Sequence, residues 1–407
     1  MPVVAEAGNK GEKIRSDCFI QFNLLKSGGL KIELTSKVKS LFGNDIIRQI
    51  KDICSFFDVR HAQVQLEDSG ALPFVIEARM EAAIKQVVRS DKSLLMPMIQ
   101  QNEYKSSRDR FRFTRLYLPG NTPSMMLNAG IHHPNGIILD LEDSVAPHKK
   151  EEARLLVRNA LLQVDFYGAE RMVRINQLPM GLDDLPFVVP FNAHVILIPK
   201  CENAQTVKSV EKKATEILHE TGQENTLFYM PIIENALGVE HAYEIATASG
   251  NIVAMAIGLE DYTADLGVGR SEGGEESFYA RTRMVNACKA ANIQPIDSVY
   301  SDVDNMDALQ KQVIKSKSLG FEGMGCIHPR QIPVIHDGFR PGQEEIERAR
   351  KIIEAYEEAV SKGSGVVSLG SKMIDPPVVK RAQKTIRLIE ALGNTDGRIK
   401  ENRFDSL

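Results

Sequence analysis

The sequence predicts an α/β fold, a (β/α)8 TIM barrel with a C-terminal helical extension, preceded by a small α+β domain. Eight short β-rich apolar runs alternate with amphipathic helical stretches between residues 115 and 327, which is the pattern of a parallel barrel. A compact set of strand and helix patterns precedes these runs, and long charged helical stretches follow them. No Gly-x-Gly-x-x-Gly follows the first run, which disfavours a dinucleotide-binding open sheet.

The N-terminal segment, residues 16–88, has the pattern of a small α+β domain. Apolar and polar residues alternate at 18–22 and 30–34, which predicts two strands joined through a Ser-Gly-Gly turn. Residues 38–57 have helical spacing, residues 62–66 alternate again, and residues 72–87 return to helical spacing.

A polar stretch from residue 89 to about residue 112 separates this unit from the barrel. Its composition is typical of an exposed, mobile connector. We therefore predict a small domain at 1–90, a linker at 91–111, a barrel at 112–335 and a helical extension at 336–407.

The eight barrel strands are predicted from short apolar runs bounded by turn signals. These runs cover residues 115–119, 136–141, 172–175, 194–199, 227–230, 252–257, 296–300 and 325–327. Beyond them, residues 343–362 and 378–392 are predicted to form amphipathic helices.

Composition excludes several functional classes. The chain has 407 residues, 43% hydrophobic residues and a formal net charge of −4, so no general affinity for nucleic acid or anionic membranes is expected. No apolar run reaches about 18 residues, and the start lacks a signal-peptide pattern, so we expect a cytoplasmic protein. The five scattered cysteines indicate buried thiols rather than disulfides or a zinc site.

Two carboxylates directly follow short apolar runs. Glu234 follows residues 231–233, and Asp261 lies in the segment 257–262. Both are predicted at the carboxyl ends of barrel strands, which form the catalytic face of a TIM barrel. Oxygen ligands of this kind predict a Mg²⁺ site.

Other charged residues are predicted near the same face. Asp140, Glu142 and Asp143 end the second strand, either as solvated charges or as groups that support the metal through hydrogen bonds. Arg174 lies in an apolar strand, where it either pairs with a barrel carboxylate or clamps a substrate carboxylate. Lys200 follows the fourth strand, and an ion-paired structural lysine is favoured over a Schiff-base lysine.

Six motifs in order resemble the citrate lyase beta subunit, of the aldolase/citrate lyase superfamily. They lie at residues 114–121, 139–145, 173–176, 233–235, 258–262 and 328–332. The resemblance runs from about residue 112 to residue 392. The N-terminal unit resembles the gamma subunit of the same enzyme, its acyl carrier, through residues 34–38, 42–43 and 64–72.

The resemblance implies a carbon-carbon lyase that cleaves a citryl-like or citramalyl-like thioester into an acetyl thioester and a 2-oxo acid. It implies that Glu234 and Asp261 bind Mg²⁺ and that Arg174 holds the substrate carboxylate, and Glu142 and Asp143 are candidate substrate contacts. Asp375, in the Met-Ile-Asp-Pro motif, would handle the proton at the enolate carbon from a neighbouring subunit. A homotrimer or a multiple of it, and an acyl-transferase partner, are implied as well.

Two departures from the family pattern leave the form of the thioester open. The carrier attaches its prosthetic arm to the first serine of a Ser-Ser-Asp motif, and here Arg15 occupies that place and Ser16 follows it. Ser124, Met125 and Asn128 occur where acyl-CoA lyases place basic residues, which favours a carrier-bound substrate. The alternatives are a free acyl-CoA lyase or thioesterase, of malyl-CoA or citramalyl-CoA type, and a non-catalytic scaffold for partner subunits. The joint presence of the four predicted catalytic and metal-binding residues disfavours the scaffold.

Overall fold

The computed structural model describes residues 4–223, 225–361, 367–369 and 372–404. The chain forms two compact units, Met1–Ile335 and His336–Leu407. The first unit holds the N-terminal sheet and the barrel, and the second holds the C-terminal helices.

The N-terminal sheet has four strands and two helices. Strand β4 lies between β2, to which it is antiparallel, and β3, to which it is parallel, so the order is β1-β2-β4-β3. Strand β1 was not predicted, because its buried positions are the small residues Ala5 and Ala7. The elements are β1 Val4–Gly8, β2 Cys18–Leu24, β3 Leu30–Ser36, α1 Lys39–Phe56, β4 Ala62–Asp68 and α2 Pro73–Val87.

Eight parallel strands form a closed barrel, which confirms the predicted fold class. Inward-facing apolar side chains such as Met172, Val195 and Met230 fill its interior. The strands are β5 Thr114–Pro119, β6 Gly136–Asp140, β7 Glu170–Arg174, β8 Val195–Ile198, β9 Phe228–Ile233, β10 Ala254–Ile257, β11 Gln294–Asp297 and β12 Gly323–Cys326.

Helices connect the strands on the outside of the barrel. Helix α6 shows how the sequence sets their ends, because Asn203 accepts the Thr206 N–H at its start and Gly222, with φ of 65°, follows its end. The helices are α3 Pro123–Met126, α4 Lys150–Gln163, α5 Gly181–Asp184, α6 Ala204–Thr221, α7 Ala236–Glu240, α8 Ala242–Ala246, α9 Leu259–Asp265, α10 Phe278–Ala290, α11 Met306–Leu319 and α12 Gln331–Phe339. Short 3-10 helices cover Gln100–Asn102, Gly130–His132, Pro147–Lys149, Leu185–Phe187 and Val189–Phe191.

The polar stretch before the barrel is partly buried, which corrects the expectation of an exposed connector. Arg112 donates from Nε and Nη2 to both carboxylate oxygens of Glu170, at 2.7 Å each. The carbonyl of Asn102 accepts a hydrogen bond from Arg171 at 2.6 Å. Polar residues of this stretch form hydrogen bonds with buried charged residues of the barrel. Composition alone does not distinguish such buried polar residues from solvated ones.

A buried hydrogen bond and a buried ion pair join the N-terminal domain to the barrel. Arg79 donates from Nε and Nη2 to Asp17, at 3.1 and 2.9 Å, and from Nη2 to the carbonyl of Asn121, at 2.9 Å. Asn121 belongs to the loop that follows β5. A second pair joins Arg158 of α4 to Glu81 of α2, at 2.8 Å.

The second unit contains two helices and a short antiparallel pair of strands. Its elements are α13 Gln343–Ser361, β13 Val367–Leu369, β14 Lys372–Ile374 and α14 Pro376–Phe404. Ala349 and Ile352 of α13 pack with Val379 and Ala382 of α14. Both predicted helices are present, and α14 extends past the predicted end, whereas Lys362 lies outside the described residues.

None of the helices in the described ranges has the length and apolarity needed to span a bilayer. All five cysteines are buried and free.

Candidate active site

A cavity of about 790 Å³ opens at the carboxyl ends of the barrel strands. Its walls include Tyr117, Asp140, Arg174, Glu234 and Asp261. The five predicted site residues that belong to the first unit, Glu142, Asp143, Arg174, Glu234 and Asp261, lie in or beside this region.

Glu234 immediately follows β9, because Asn235 caps helix α7 by accepting the Gly238 N–H at 2.8 Å. Its carboxylate accepts the backbone N–H of Lys200 at 2.7 Å. Gly258 makes room for it, since a Cβ there would lie 2.6 Å from Glu234 Oε1. The side chain is buried, and burial raises the pKa of Glu234 to about 8.

Asp261 lies on the first turn of α9 rather than at the end of a strand, which corrects its predicted position. The chain leaves β10 at Ile257 and enters the helix at Leu259, so one glycine is enough to turn the backbone. The Asp261 side chain is 44% exposed, and its Oδ1 lies 3.9 Å from Lys200 Nζ.

Arg174, at the end of β7, is paired closely with two carboxylates and lies 3.8 Å from a third, that of Asp143. Its Nε and Nη2 donate to Asp140 at 2.6 and 2.7 Å, and its Nη1 lies 2.8 Å from Glu142 Oε2. Burial alone would lower the pKa of Arg174, but these hydrogen bonds raise it. Burial alone would raise the pKa of Asp140, and the same bonds lower it. The structural pairing considered for Arg174 is therefore present.

Lys200 lies among the carboxylates. Its Nζ is 3.3 Å from Glu142, 3.7 Å from Asp143 and 3.9 Å from Asp261. Burial alone would lower the pKa of Lys200, but Glu142 and Asp143 raise it. A Schiff-base lysine requires a lowered pKa, so the ion-paired interpretation agrees with the structure. Its backbone φ of 47° lies in the left-handed region, a strain that commonly occurs at functional sites.

Glu142 and Asp143 differ in exposure. The Asp143 side chain is 56% exposed and lines the cavity, whereas Glu142 is buried behind Arg174 and Lys200. The Arg174 contact with Glu142 Oε2 is an ion pair without hydrogen-bond geometry, so this buried oxygen has no hydrogen-bond donor. Burial raises the pKa of Glu142.

Asp375 belongs to the second unit. It directly precedes α14, its side chain is exposed, and its carbonyl accepts the N–H groups of Val378 and Val379.

Two residues of the site were not predicted. Tyr117 is a cavity residue whose ring faces the Arg174 guanidinium, 5.4 Å away. Arg115, two residues earlier in β5, also lines the cavity and is buried. An arginine inside an apolar strand was the available signal, the same one that identified Arg174.

The acidic residues suit a hard cation with few protein ligands. Within the described residues, no group of three or more His, Cys, Asp and Glu side chains is arranged to hold a metal. Glu234 and Asp261 offer carboxylate oxygens from two adjacent elements. One or two carboxylates, completed by water and substrate, are the usual protein contribution to a Mg²⁺ site. The carboxylates at this end of the barrel are Asp140, Glu142, Asp143, Glu234 and Asp261, and the cations paired with them in the described chain are Arg174 and Lys200.

Sequence comparison identifies relatives of both parts of the chain. The family profile described as HpcH/HpaI aldolase/citrate lyase matches residues 114–329. The profile described as malonate decarboxylase delta subunit (MdcD) matches residues 9–87. The chain is similar to citrate lyase subunit beta of Haemophilus influenzae, with 41% identity over 67% of this chain and 95% of that protein. It is also similar to human mitochondrial citramalyl-CoA lyase, with 29% identity over 79% of this chain and 99% of that protein.

A solved structure has a similar fold. It is that of the protein CitE from Mycobacterium tuberculosis in complex with magnesium, acetoacetate and coenzyme A. The match has a TM-score of 0.58 and 27% identity, and covers 69% of this chain and 98% of that chain.

Proposed function

The chain belongs to the HpcH/HpaI aldolase/citrate lyase family, and on this premise we propose that it is a Mg²⁺-dependent carbon-carbon lyase. Its proposed substrate is a citryl-like or citramalyl-like thioester, which it cleaves into an acetyl thioester and a 2-oxo acid. Citrate lyase beta subunits and citramalyl-CoA lyase, its relatives, are lyases by name.

The observation that carries this proposal is the excess of carboxylates at the mouth of the barrel. Glu234 is buried, and Asp261, on α9, lines the same cavity. Within the described residues two cations, Arg174 and Lys200, form ion pairs in this group, and the five carboxylates outnumber them. A divalent cation held by Glu234 and Asp261 would neutralise this charge, and the similar CitE structure contains magnesium.

In the proposed reaction, the bond between the hydroxyl-bearing carbon and the carbon next to the thioester breaks. The hydroxyl loses its proton to form the 2-oxo group, and the carbon next to the thioester gains a proton to become the methyl group of the acetyl thioester. A Mg²⁺ ion held by Glu234 and Asp261 would supply positive charge to polarise the hydroxyl and carboxylate oxygens of the acid half. Arg174, fixed by Asp140, donates its remaining N–H groups to the same carboxylate.

The remaining charged residues support this arrangement. Asp143, on the cavity wall, is proposed to contact the substrate directly. Glu142 is buried, so it is proposed to act by holding Arg174 and Lys200 in place. Asp375 is proposed to handle the proton at the acetyl carbon, from a neighbouring subunit of a trimer or a multiple of it.

Replacing the two proposed metal ligands tests this function. Glu234→Ala and Asp261→Ala should each lower lyase activity by several orders of magnitude and abolish Mg²⁺ binding measured by titration calorimetry. Glu244→Ala is a matched control, because Glu244 is exposed on α8. Full activity of Asp261→Ala in the presence of chelator would refute the metal assignment.

The second candidate is a free acyl-CoA lyase or thioesterase, in which the N-terminal domain carries no arm. The attachment segment favours it, because Asp17, next to Ser16, is buried and bonded to Arg79, which also bonds the barrel loop at Asn121. A carrier domain that delivers its prosthetic arm to several partner enzymes needs an accessible attachment segment. The intact mass of the protein from its native host distinguishes the candidates, since an attached arm adds mass to the N-terminal domain.

The third reading, a non-catalytic scaffold, has no support from the cavity, whose walls carry charged groups that a scaffold does not require. A transferase partner and a cytoplasmic location remain predictions.

A further inference from the structure

A buried arginine without an acidic partner lies in the cavity. Arg115 is 2% exposed and lines the cavity. Its Nη1 lies 3.4 Å from the thioether sulfur of Met230, a weak acceptor, and its Nε has no hydrogen-bond partner. Met230 lies on β9, deeper in the barrel than Glu234.

The other fully buried arginines of the described chain all have strong acceptors. Four pair with carboxylates and one bonds backbone carbonyls: Arg79 with Asp17, Arg112 with Glu170, Arg158 with Glu81, Arg281 with Asp297, and Arg171 with the carbonyls of Asn102, Asn192 and Tyr104. Arg115 differs from this pattern. Burial lowers the pKa of Arg115 to about 10, so it remains charged at neutral pH. An uncompensated buried cation is costly, and an anionic ligand would remove that cost.

The barrel makes room for this side chain. Arg115 pairs in register with Gly136 on β6 and with Gly325 on β12. A Cβ on Gly136 would lie 3.1 Å from Met172 and 3.4 Å from Arg115 Cγ, and one on Gly325 would lie 2.7 Å from Val299 and 3.2 Å from the ring of Tyr117. Glycine on both neighbouring strands therefore leaves space inside the barrel for Arg115 and Tyr117.

Arg115 and the proposed metal ligands line the same cavity. Met230, which contacts Arg115, precedes Glu234 by four residues on one strand, or about 13 Å. Side chains extend into this space from both ends, and Tyr117 lies between Arg115 and Arg174 along the same wall.

We propose that Arg115 binds a second carboxylate on the acid half of the substrate. This proposal rests on the proposed lyase function and deepens it. The thioester carries CoA or a carrier, which is too large for the barrel interior and must leave through the open mouth. The substituent on the opposite side of the hydroxyl-bearing carbon then points inward, toward Arg115. A carboxylate there forms charged hydrogen bonds with the guanidinium, so the enzyme prefers a citryl-like thioester, whose 2-oxo acid is a dicarboxylate, over a citramalyl-like one.

Binding of two 2-oxo acids to Arg115→Met tests the proposal. Oxaloacetate has the second carboxylate and pyruvate lacks it, and each is titrated calorimetrically into the full chain with Mg²⁺. The wild-type protein should bind oxaloacetate more tightly than pyruvate. Arg115→Met should weaken oxaloacetate binding by about 10- to 100-fold, as expected for a charged hydrogen bond, and change pyruvate binding by less than about twofold. Arg115→Lys should recover part of the preference, because it keeps the charge without the fork.

The outcomes separate this proposal from the proposed function. If the wild-type protein binds neither acid with Mg²⁺, the lyase assignment fails and the role of Arg115 fails with it. If it binds both acids and Arg115→Met weakens them equally or not at all, the role of Arg115 alone is refuted. Thermal unfolding is the structural control. Arg115→Met removes an unpaired charge and should keep its melting temperature, whereas Arg112→Met leaves Glu170 buried and unpaired and should lose stability.

Discussion

Replacing Glu234 with glutamine should remove a pH dependence of stability that the buried carboxyl creates. Its pKa is raised by burial from 4.5 to about 8. Between these values the folded protein binds a proton that the unfolded chain releases, so metal-free stability falls as pH rises through this window. Relative to its value at low pH, the free energy of unfolding is therefore lower by about 2 kcal/mol at pH 6 and by about 4 kcal/mol at pH 8.

Glutamine keeps the acceptor for the Lys200 N–H and cannot ionise. The metal-free wild-type protein should therefore lose about 2 kcal/mol more stability than Glu234→Gln between pH 6 and pH 8. Because the chain has no tryptophan, urea unfolding in chelator is followed by circular dichroism. Mg²⁺ should stabilise the wild-type protein at pH 8 and leave the variant unchanged. Equal pH dependence of the wild type, Glu234→Gln and the exposed control Glu244→Gln would refute the reasoning.

Three further predictions follow from the ion pairs and from Asp375. Arg174→Lys loses the bidentate contact with Asp140 and should weaken 2-oxo acid binding about tenfold; unchanged calorimetric affinity would return Arg174 to a purely structural role. Arg79→Met leaves Asp17 without its cation and should lower the free energy of unfolding, measured in urea, by about 3 to 5 kcal/mol. The control Arg48→Met, at the exposed pair with Asp45, should lower it by less than about 1 kcal/mol. Equal losses in the two variants would show that the buried contact adds no more stability than the exposed one. Mixing inactive Asp375→Ala and Glu234→Ala subunits should restore activity at about a quarter of the sites if each active site is shared between neighbouring subunits. No recovery of activity after verified subunit exchange would show that the active sites are not shared.

The sequence predicts the fold because its signals are periodic. The eight strands are apolar runs on a barrel buried on both faces, and each was found within a few residues of its bounds. Strand β1 gives no alternation signal, because Ala5 and Ala7 carry too little apolar surface. The composition of the connector predicts exposure, because Asn102 and Arg112 are polar whether they face solvent or a buried partner.

The site was predictable in chemical type and less so in its pairing. The apolar run before Glu234 predicts its position at the end of a strand correctly. The same reasoning predicts the wrong position for Asp261, because β10 ends at Ile257 and α9 begins at Leu259, so Asp261 lies on a helix. The partners of Arg174 and Lys200 come from different strands, so their ion pairs depend on tertiary structure. Arg115 illustrates the same limit, since its lack of an acidic partner is visible only when the strands on either side are in place.

The most direct test of the lyase assignment is product analysis with Mg²⁺ and a citryl or citramalyl thioester, supplied both as the CoA ester and as the ester of an acyl carrier protein. We expect one of these forms to yield one 2-oxo acid and one acetyl thioester for each thioester consumed. Chelator and Asp261→Ala should both abolish this yield. Release of free thiol without a 2-oxo acid, or cleavage that persists in chelator, would contradict this expectation.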